Sequence, residues 1–147
     1  MSKHLIALGA LFLGAFIYVA FRPLNLLVFS ALHAVGFMRL VWYVRNESHL
    51  IRGIVPDWMV YCAPNGLWMF AYVSFISLPW AGKFSVGSVS WCLVLIFISV
   101  VSEYLQLYQI IPGTFDVLDI IFYMAGAAVG GFFAFHGGKF WERLRET

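Results

Sequence analysis

Four long apolar stretches, separated by short polar breaks, dominate the chain. They predict helices at about 5–21, 65–82, 86–107 and 116–137, each near the ~20 residues that a helix needs to cross a bilayer. Strands and core helices of a water-soluble domain would be shorter and would alternate more regularly with polar positions. Pro23 closes the first stretch, a Pro-Asn-Gly turn at 64–66 opens the second, and Pro112-Gly113 separates the last two. The first stretch has the basic start and apolar centre of a signal peptide. Phe21-Arg22-Pro23 follows it without a small-x-small cleavage site, so it is read as a retained span.

Residues 24–44 fit this scheme least well. Arg22 and Arg39 bound an apolar run that is short for a span and is interrupted by Ser30, His33 and Gly36. Including Trp42 and Tyr43 as an interfacial belt, with Arg39 snorkelling, makes it just long enough. The segment is therefore expected to be a re-entrant or interfacial helix, with a fifth span as the alternative. A polar loop is expected to follow over 45–60. The fold class is all-α: a polytopic membrane helical bundle of four transmembrane helices plus that extra helix, in one domain over 1–147.

Composition agrees with the membrane reading. The chain is 63% hydrophobic and only 11% charged, where soluble domains are about a quarter charged. A net charge of +2, not clustered, argues against nucleic acid. Cys62 and Cys92 are two cysteines in an apolar context and not a disulfide scaffold. No Cys or His spacing resembles a metal site, and no cofactor is implied. Orientation is almost undetermined by positive charge. With the N-terminus inside, Lys3, Lys83, Lys139, Arg143 and Arg145 lie inside, against Arg22, Arg39, Arg45 and Arg52 outside. This leans toward both termini inside, with Trp141 in the basic tail as an interfacial anchor.

The chemistry gathers in one place. Glu103, Asp116 and Asp119 are three of only seven acidic residues, yet they fall within "EYLQLYQIIPGTFDVLD". At 100° per residue, Ser99, Ser102, Glu103 and Gln106 share one stripe, and Asp116, Asp119, Tyr123, Gly126, Ala127 and Gly130 share another. These two helices are expected to be antiparallel neighbours joined by a tight loop, an arrangement in which the stripes can face each other. Asn65 opens the preceding span on the same membrane side. Arg45 and Arg52, and Arg22 if 24–44 does not span, are the cations expected to balance the acids. Plainer roles exist for each group: capping for Asp116, dipole complementation for Asp119, a structural ion pair for Glu103 and helix packing for Gly126 and Gly130. Glu103 is the sharpest case, because an acid inside a membrane costs roughly 2.5–3.5 kcal/mol and usually has a partner or a function.

The run "SEYLQLYQIIPGTFDVLDIIFYMAGAAVG" resembles the end of the VanZ-like membrane proteins. There, a helix ending Glu-x-x-Gln is followed by a loop, an Asp-x-x-Asp start and a glycine-containing last helix. Glu103, Gln106, Asp116, Asp119, Gly126 and Gly130 match that order. "APNGLW" is similar to a family turn that often carries an acid where this chain has Asn65. Two positions depart: Pro112-Gly113-Thr114 stands where an arginine is common, and Tyr123 where Asn is common. The resemblance implies a small multi-pass protein of the bacterial inner (cytoplasmic) membrane concerned with the cell envelope. The family's namesake is associated with low-level teicoplanin resistance.

Three functions are expected in order. First comes a non-enzymatic protein with a polar notch of Asn65, Glu103, Gln106, Asp116, Asp119, Arg22, Arg45 and Arg52. That notch would bind a membrane lipid, an amphiphile or a partner. Second is an accessory subunit of a larger membrane complex, suggested by the aromatics Trp42, Trp58, Trp68, Trp80 and Trp91. Third is an enzyme on a lipid-linked or phosphorylated substrate. Its support is thin, since no nucleophile with a neighbouring base is evident and no catalytic residue stands out.

Overall fold

In the computed structural model, the backbone is described for residues 3–80, 83 and 85–145, and the side chains for 4–80, 83 and 85–135. Among these residues every regular element is helical. They are α1 (Lys3–Phe21), α2 (Leu27–Ala34), α3 (Met38–Ser48), α4 (Asp57–Tyr61), α5 (Ala63–Ile76), α6 (Val86–Leu107) and α7 (Val117–Arg145), with single 3₁₀ turns at His49–Ile51 and Leu78–Trp80. Four stretches are long and apolar enough to cross a membrane: His4–Phe21, Asp57–Trp80, Val86–Leu107 and Val117–Phe135. The protein is a multi-pass helical bundle. The side chains of Lys3, Lys139, Trp141, Arg143 and Arg145, named above for orientation and anchoring, lie outside the described set.

The segment 24–44 is not one helix. It is split into α2 and α3, and at 1.5 Å per residue neither exceeds about 17 Å, well short of a bilayer core. Gly36 makes the break. It sits at φ +79°, and the amides of Gly36 and Phe37 donate to the carbonyls of His33 and Leu32, the double bond of a Schellman stop. The helix pair is held to the bundle by Phe29 and Val41, both buried. Arg45 adds a second tie, donating from Nη1 to the carbonyls of Val19 (3.0 Å) and Arg22 (2.8 Å). A guanidinium over the last carbonyls of α1 is the favourable pairing of a cation with a helix C-terminus.

Two sequence expectations are corrected. Residues 45–60 are not all loop, because α3 runs to Ser48 and α4 begins at Asp57. Pro64-Asn65-Gly66 is not a turn. Pro64 occupies the first turn of α5, where its missing N–H would have had no intrahelical acceptor. The second membrane stretch therefore starts at Asp57, with α4 and α5 nearly continuous about Cys62.

Helix α5 is the centre of the bundle. Within its membrane stretch 56% of the window is buried, against 22% for α1 and 17% for both α6 and α7. Lipid offers no hydrophobic drive for helices to associate, so close packing and interhelical hydrogen bonds must hold them. Both are present. A Cβ on Gly126 would overlap the Gly66 carbonyl oxygen, and one on Gly130 would stand 2.9 Å from the Phe70 carbonyl oxygen. The backbones of α5 and α7 thus touch. On the other flank, Trp68 of α5 lies over Gly14 of α1. Helix α6 is tied to α5 by Tyr72 Oη donating to the Trp91 carbonyl (2.6 Å) and by Ser77 Oγ at 3.7 Å from Cys92 Sγ. It begins with a reciprocal Ser85–Ser88 capping box and ends in a Schellman stop with Gln109, not glycine, at φ +57°.

Gly126→Ala is expected to destabilise the protein by about 1–3 kcal/mol through overpacking of the α5–α7 seam. Gly131→Ala, whose Cβ would meet nothing within 4 Å, is expected to be neutral or to stabilise by up to about 1 kcal/mol. Thermal unfolding of both variants in the same detergent measures the difference, and equal effects would remove the seam from this account.

Candidate functional site

The ends of α1 and α6 and the starts of α4, α5 and α7 meet at one end of the bundle, which places most of the singled-out polar residues together. Asp116 is the N-cap of α7: its Oδ1 accepts from the Leu118 amide at 2.8 Å. Its own amide donates to Glu103 Oε2 at 3.3 Å. In a capping box that amide is taken by an acid three residues into the same helix. Here α6 supplies the acid instead, from a carboxyl that is only 2% exposed. Glu103 therefore clamps the end of α6 to the start of α7, and the loop between them closes over Gln106, against which a Cβ on Gly113 would collide.

Asp119, at the third position of α7, is thereby released from capping. Its carboxyl instead turns toward α5, where the side chains of Cys62 and Asn65 face it. Oδ1 nevertheless ends buried without a hydrogen-bonding partner. Asn65, itself buried, donates weakly to the Tyr61 carbonyl at 3.5 Å, and Cys62 Sγ lies 4.0 Å from Asp116 Oδ2. The expectation that the two polar stripes face each other holds only at the membrane end, where Glu103 meets Asp116. Deeper down, the α7 stripe lies against α5 through Gly126 and Gly130, and Tyr123 packs on the core of Met69, Val73 and Cys92.

The three arginines have separate fates. Arg52 pairs with Asp57 at 3.0 Å, the one ion pair among the described residues, and Arg45 binds the end of α1. Only Arg22 joins the acids. Its guanidinium donates from Nη2 to the Tyr61 carbonyl (2.7 Å), stands 4.9 Å over the Tyr61 ring and 5.4 Å from that of Tyr18, and keeps Nε buried without a partner. Cation–π contacts hold the side chain in place while leaving its charge unpaired.

Arg22, Asp116, Asp119, Tyr61, Cys62 and Thr114 line one cavity of about 360 Å³, together with Asp57, Trp58 and Leu118. This is large enough for a small polar group and within the range of ligand sites. Opposite charges share its wall, yet no arginine nitrogen comes within 4 Å of the Asp116 or Asp119 oxygens. Glu103, Asn65 and Gln106 are outside this lining, and Arg45 and Arg52 border a separate 380 Å³ cavity with His49 and Asn46. Sequence reasoning missed Cys62, Tyr61 and Thr114. The first two enter because Pro64 extends the helix instead of turning it. Among the described residues, no group of three His, Cys, Asp or Glu side chains is arranged to hold a metal ion.

The chain matches no family model, no curated protein and no solved structure.

Glu103→Gln, which keeps a carbonyl oxygen for the Asp116 amide, is expected to change stability by less than about 1 kcal/mol. Glu103→Ala, which leaves that amide unpaired and opens a cavity, is expected to cost about 2–4 kcal/mol. Detergent unfolding of the two variants side by side decides the point. Equal stability would mean that Glu103 does not clamp α6 to α7.

Proposed function

We propose that this protein is a non-enzymatic, multi-pass membrane protein that binds the polar end of a lipid or amphiphile in the cavity between Arg22 and the Asp116–Asp119 pair. One observation carries the reading: Arg22 and the carboxylates of Asp116 and Asp119 are held around a common space with no ion pair between them, while the third carboxylate of the lining, Asp57, is paired with Arg52. Burying polar or charged atoms unpaired costs about 1–3 kcal/mol each, more when charged, and Arg22 Nε and Asp119 Oδ1 are both in that state. A fold that needed only an ion pair would bring these groups together, as it does for Arg52 and Asp57. The VanZ-like pattern of Glu103, Gln106, Asp116 and Asp119 adds the setting. The protein belongs in the bacterial inner membrane and serves the cell envelope.

The acids divide the work: Glu103 and Asp116 set the start of α7, and Asp119 is left to the ligand. An enzymatic role has less behind it. Cys62, the one thiol near the acids, is 1% exposed, and its contact with the nearest carboxylate, Asp116 Oδ2, is long at 4.0 Å. A subunit role would draw on the exposed Trp42 and Tyr43 of α3, but interfacial aromatic belts explain the same residues.

Native mass spectrometry of the protein, gently extracted with its membrane neighbours, tests the proposal. The wild type is expected to carry a discrete adduct of lipid mass that Arg22→Gln and Asp119→Asn lose while retaining helical content. A bare monomer in all three samples would reject ligand binding, and a protein-sized companion would support the subunit role instead.

A further inference from the structure

The cavity does not stand alone. Adjoining it at Trp58, α1, α4, α5 and α7 form a wholly apolar groove of about 510 Å³. Its floor is the α5 stripe at Gly66 and Phe70, and its walls are Leu13 and Ile17 of α1 and Ala125 and Val129 of α7. The groove is open along one side, and the space that a Gly66 side chain would take is filled by Phe122 of α7. From Phe122 to Val129 it follows eight residues of α7, about 10 Å from first to last. Trp58 borders both spaces and stacks on Phe122 with ring centroids 5.8 Å apart. An aromatic pair thus marks the boundary between a charged cavity and an apolar groove, as aromatic side chains do at the edge of a bilayer. A polar chamber adjoining an apolar channel has the shape of a single-chain section of a lipid.

The charges narrow the headgroup. A purely anionic group would satisfy Arg22 but meet two carboxylates. A purely cationic one would satisfy the carboxylates but set a second positive charge beside Arg22. A zwitterion that carries a phosphate and an N–H-bearing cation serves both walls. Resting on the reading that the cavity binds a lipid, we infer that its occupant is a phospholipid with a phosphate and a primary ammonium in its headgroup. The phosphate sits on the Arg22 side, the ammonium on the side of Asp116 and Asp119, and one acyl chain lies in the Leu13–Gly66–Ala125 groove. Arginine suits the phosphate because its planar fork matches two phosphate oxygens. The ammonium suits the aspartates because it donates hydrogen bonds that a quaternary nitrogen cannot.

The test uses the full chain in nanodiscs or micelles, titrated with lipids of one acyl composition and three headgroups: phosphoethanolamine, phosphocholine and phosphoglycerol. Native mass spectrometry counts the bound lipid. The phosphoethanolamine lipid is expected to bind on the order of tenfold more tightly than either of the others, the value of one charge-assisted hydrogen bond. Asp119→Asn is expected to abolish that preference. Ala125→Trp, which fills the groove without touching the charged cavity, is expected to weaken all three lipids about tenfold. The headgroup comparison is made on the wild-type protein, so it does not depend on any variant folding.

Equal binding of the phosphocholine lipid would overturn the ammonium assignment, and preference for phosphoglycerol would overturn the zwitterion. Undiminished binding in Ala125→Trp would overturn the groove. If none of the three binds while the protein extracted from its own membrane still carries an adduct that depends on Arg22, this inference fails and the lipid-binding reading stands. If no adduct is found in either experiment, both fail.

Discussion

The backbone contact between Gly66 of α5 and Gly126 of α7 is the constraint from which the rest follows. Helices in lipid gain little from hiding apolar side chains from one another, so their association depends on how closely their backbones approach. Glycine at both positions removes the side chains that would hold α5 and α7 apart. With that seam closed, the start of α7 is carried against the junction of α4 and α5, and Asp119 can only face Cys62 and Asn65. The same seam brings Ala125, Gly126 and Val129 of α7 beside Gly66 and Phe70 of α5, and these residues line the apolar groove that α1 completes. One packing decision therefore sets both the polar cavity and the channel adjoining it.

The electrostatics of the site depend on where cations are kept away as much as on where they are placed. Three arginines lie at this end of the bundle. Two are occupied: Arg45 by the terminal carbonyls of α1, and Arg52 by Asp57. Arg22 is fixed by a backbone carbonyl and two tyrosine rings, partners that position a guanidinium without cancelling its charge. Had Arg52 reached Asp119, the cavity would hold a neutral pair and little reason to bind anything charged.

The sequence made the membrane helices visible because length and hydropathy are properties of contiguous residues. The stretches around α1, α6 and α7 declare themselves in this way. Pro64 misled because proline has two meanings, ending a helix from within but fitting its first turn, and only the path of the chain before it distinguishes them. Gly36 was visible as an interruption, but nothing local showed that it would take positive φ and split 24–44 into two helices. The pairing of α7 was misjudged for a different reason. Sequence neighbours joined by a short loop were expected to set their polar stripes face to face, whereas the glycine seam sets the α7 stripe against α5 and the stripes meet only where Glu103 reaches Asp116. The residues of the cavity were legible where a charge stood in an apolar run. Tyr61, Cys62 and Thr114 were not, because their roles depend on backbone position.

The cluster of acids in so apolar a chain resolves into a division of labour. A helix that starts inside or at the edge of a membrane must satisfy its first amides without water. Asp116 takes the Leu118 amide, and Glu103, reaching across from α6, takes the amide of Asp116 itself. An acid at the third position of α7 would ordinarily perform the second task. Because Glu103 performs it from outside, Asp119 keeps its carboxylate while losing its capping duty. The cross-helix cap is thus what separates a structural acid from an available one. It leaves the available one in the cavity that Arg22 also lines, with Oδ1 buried and without a hydrogen-bonding partner.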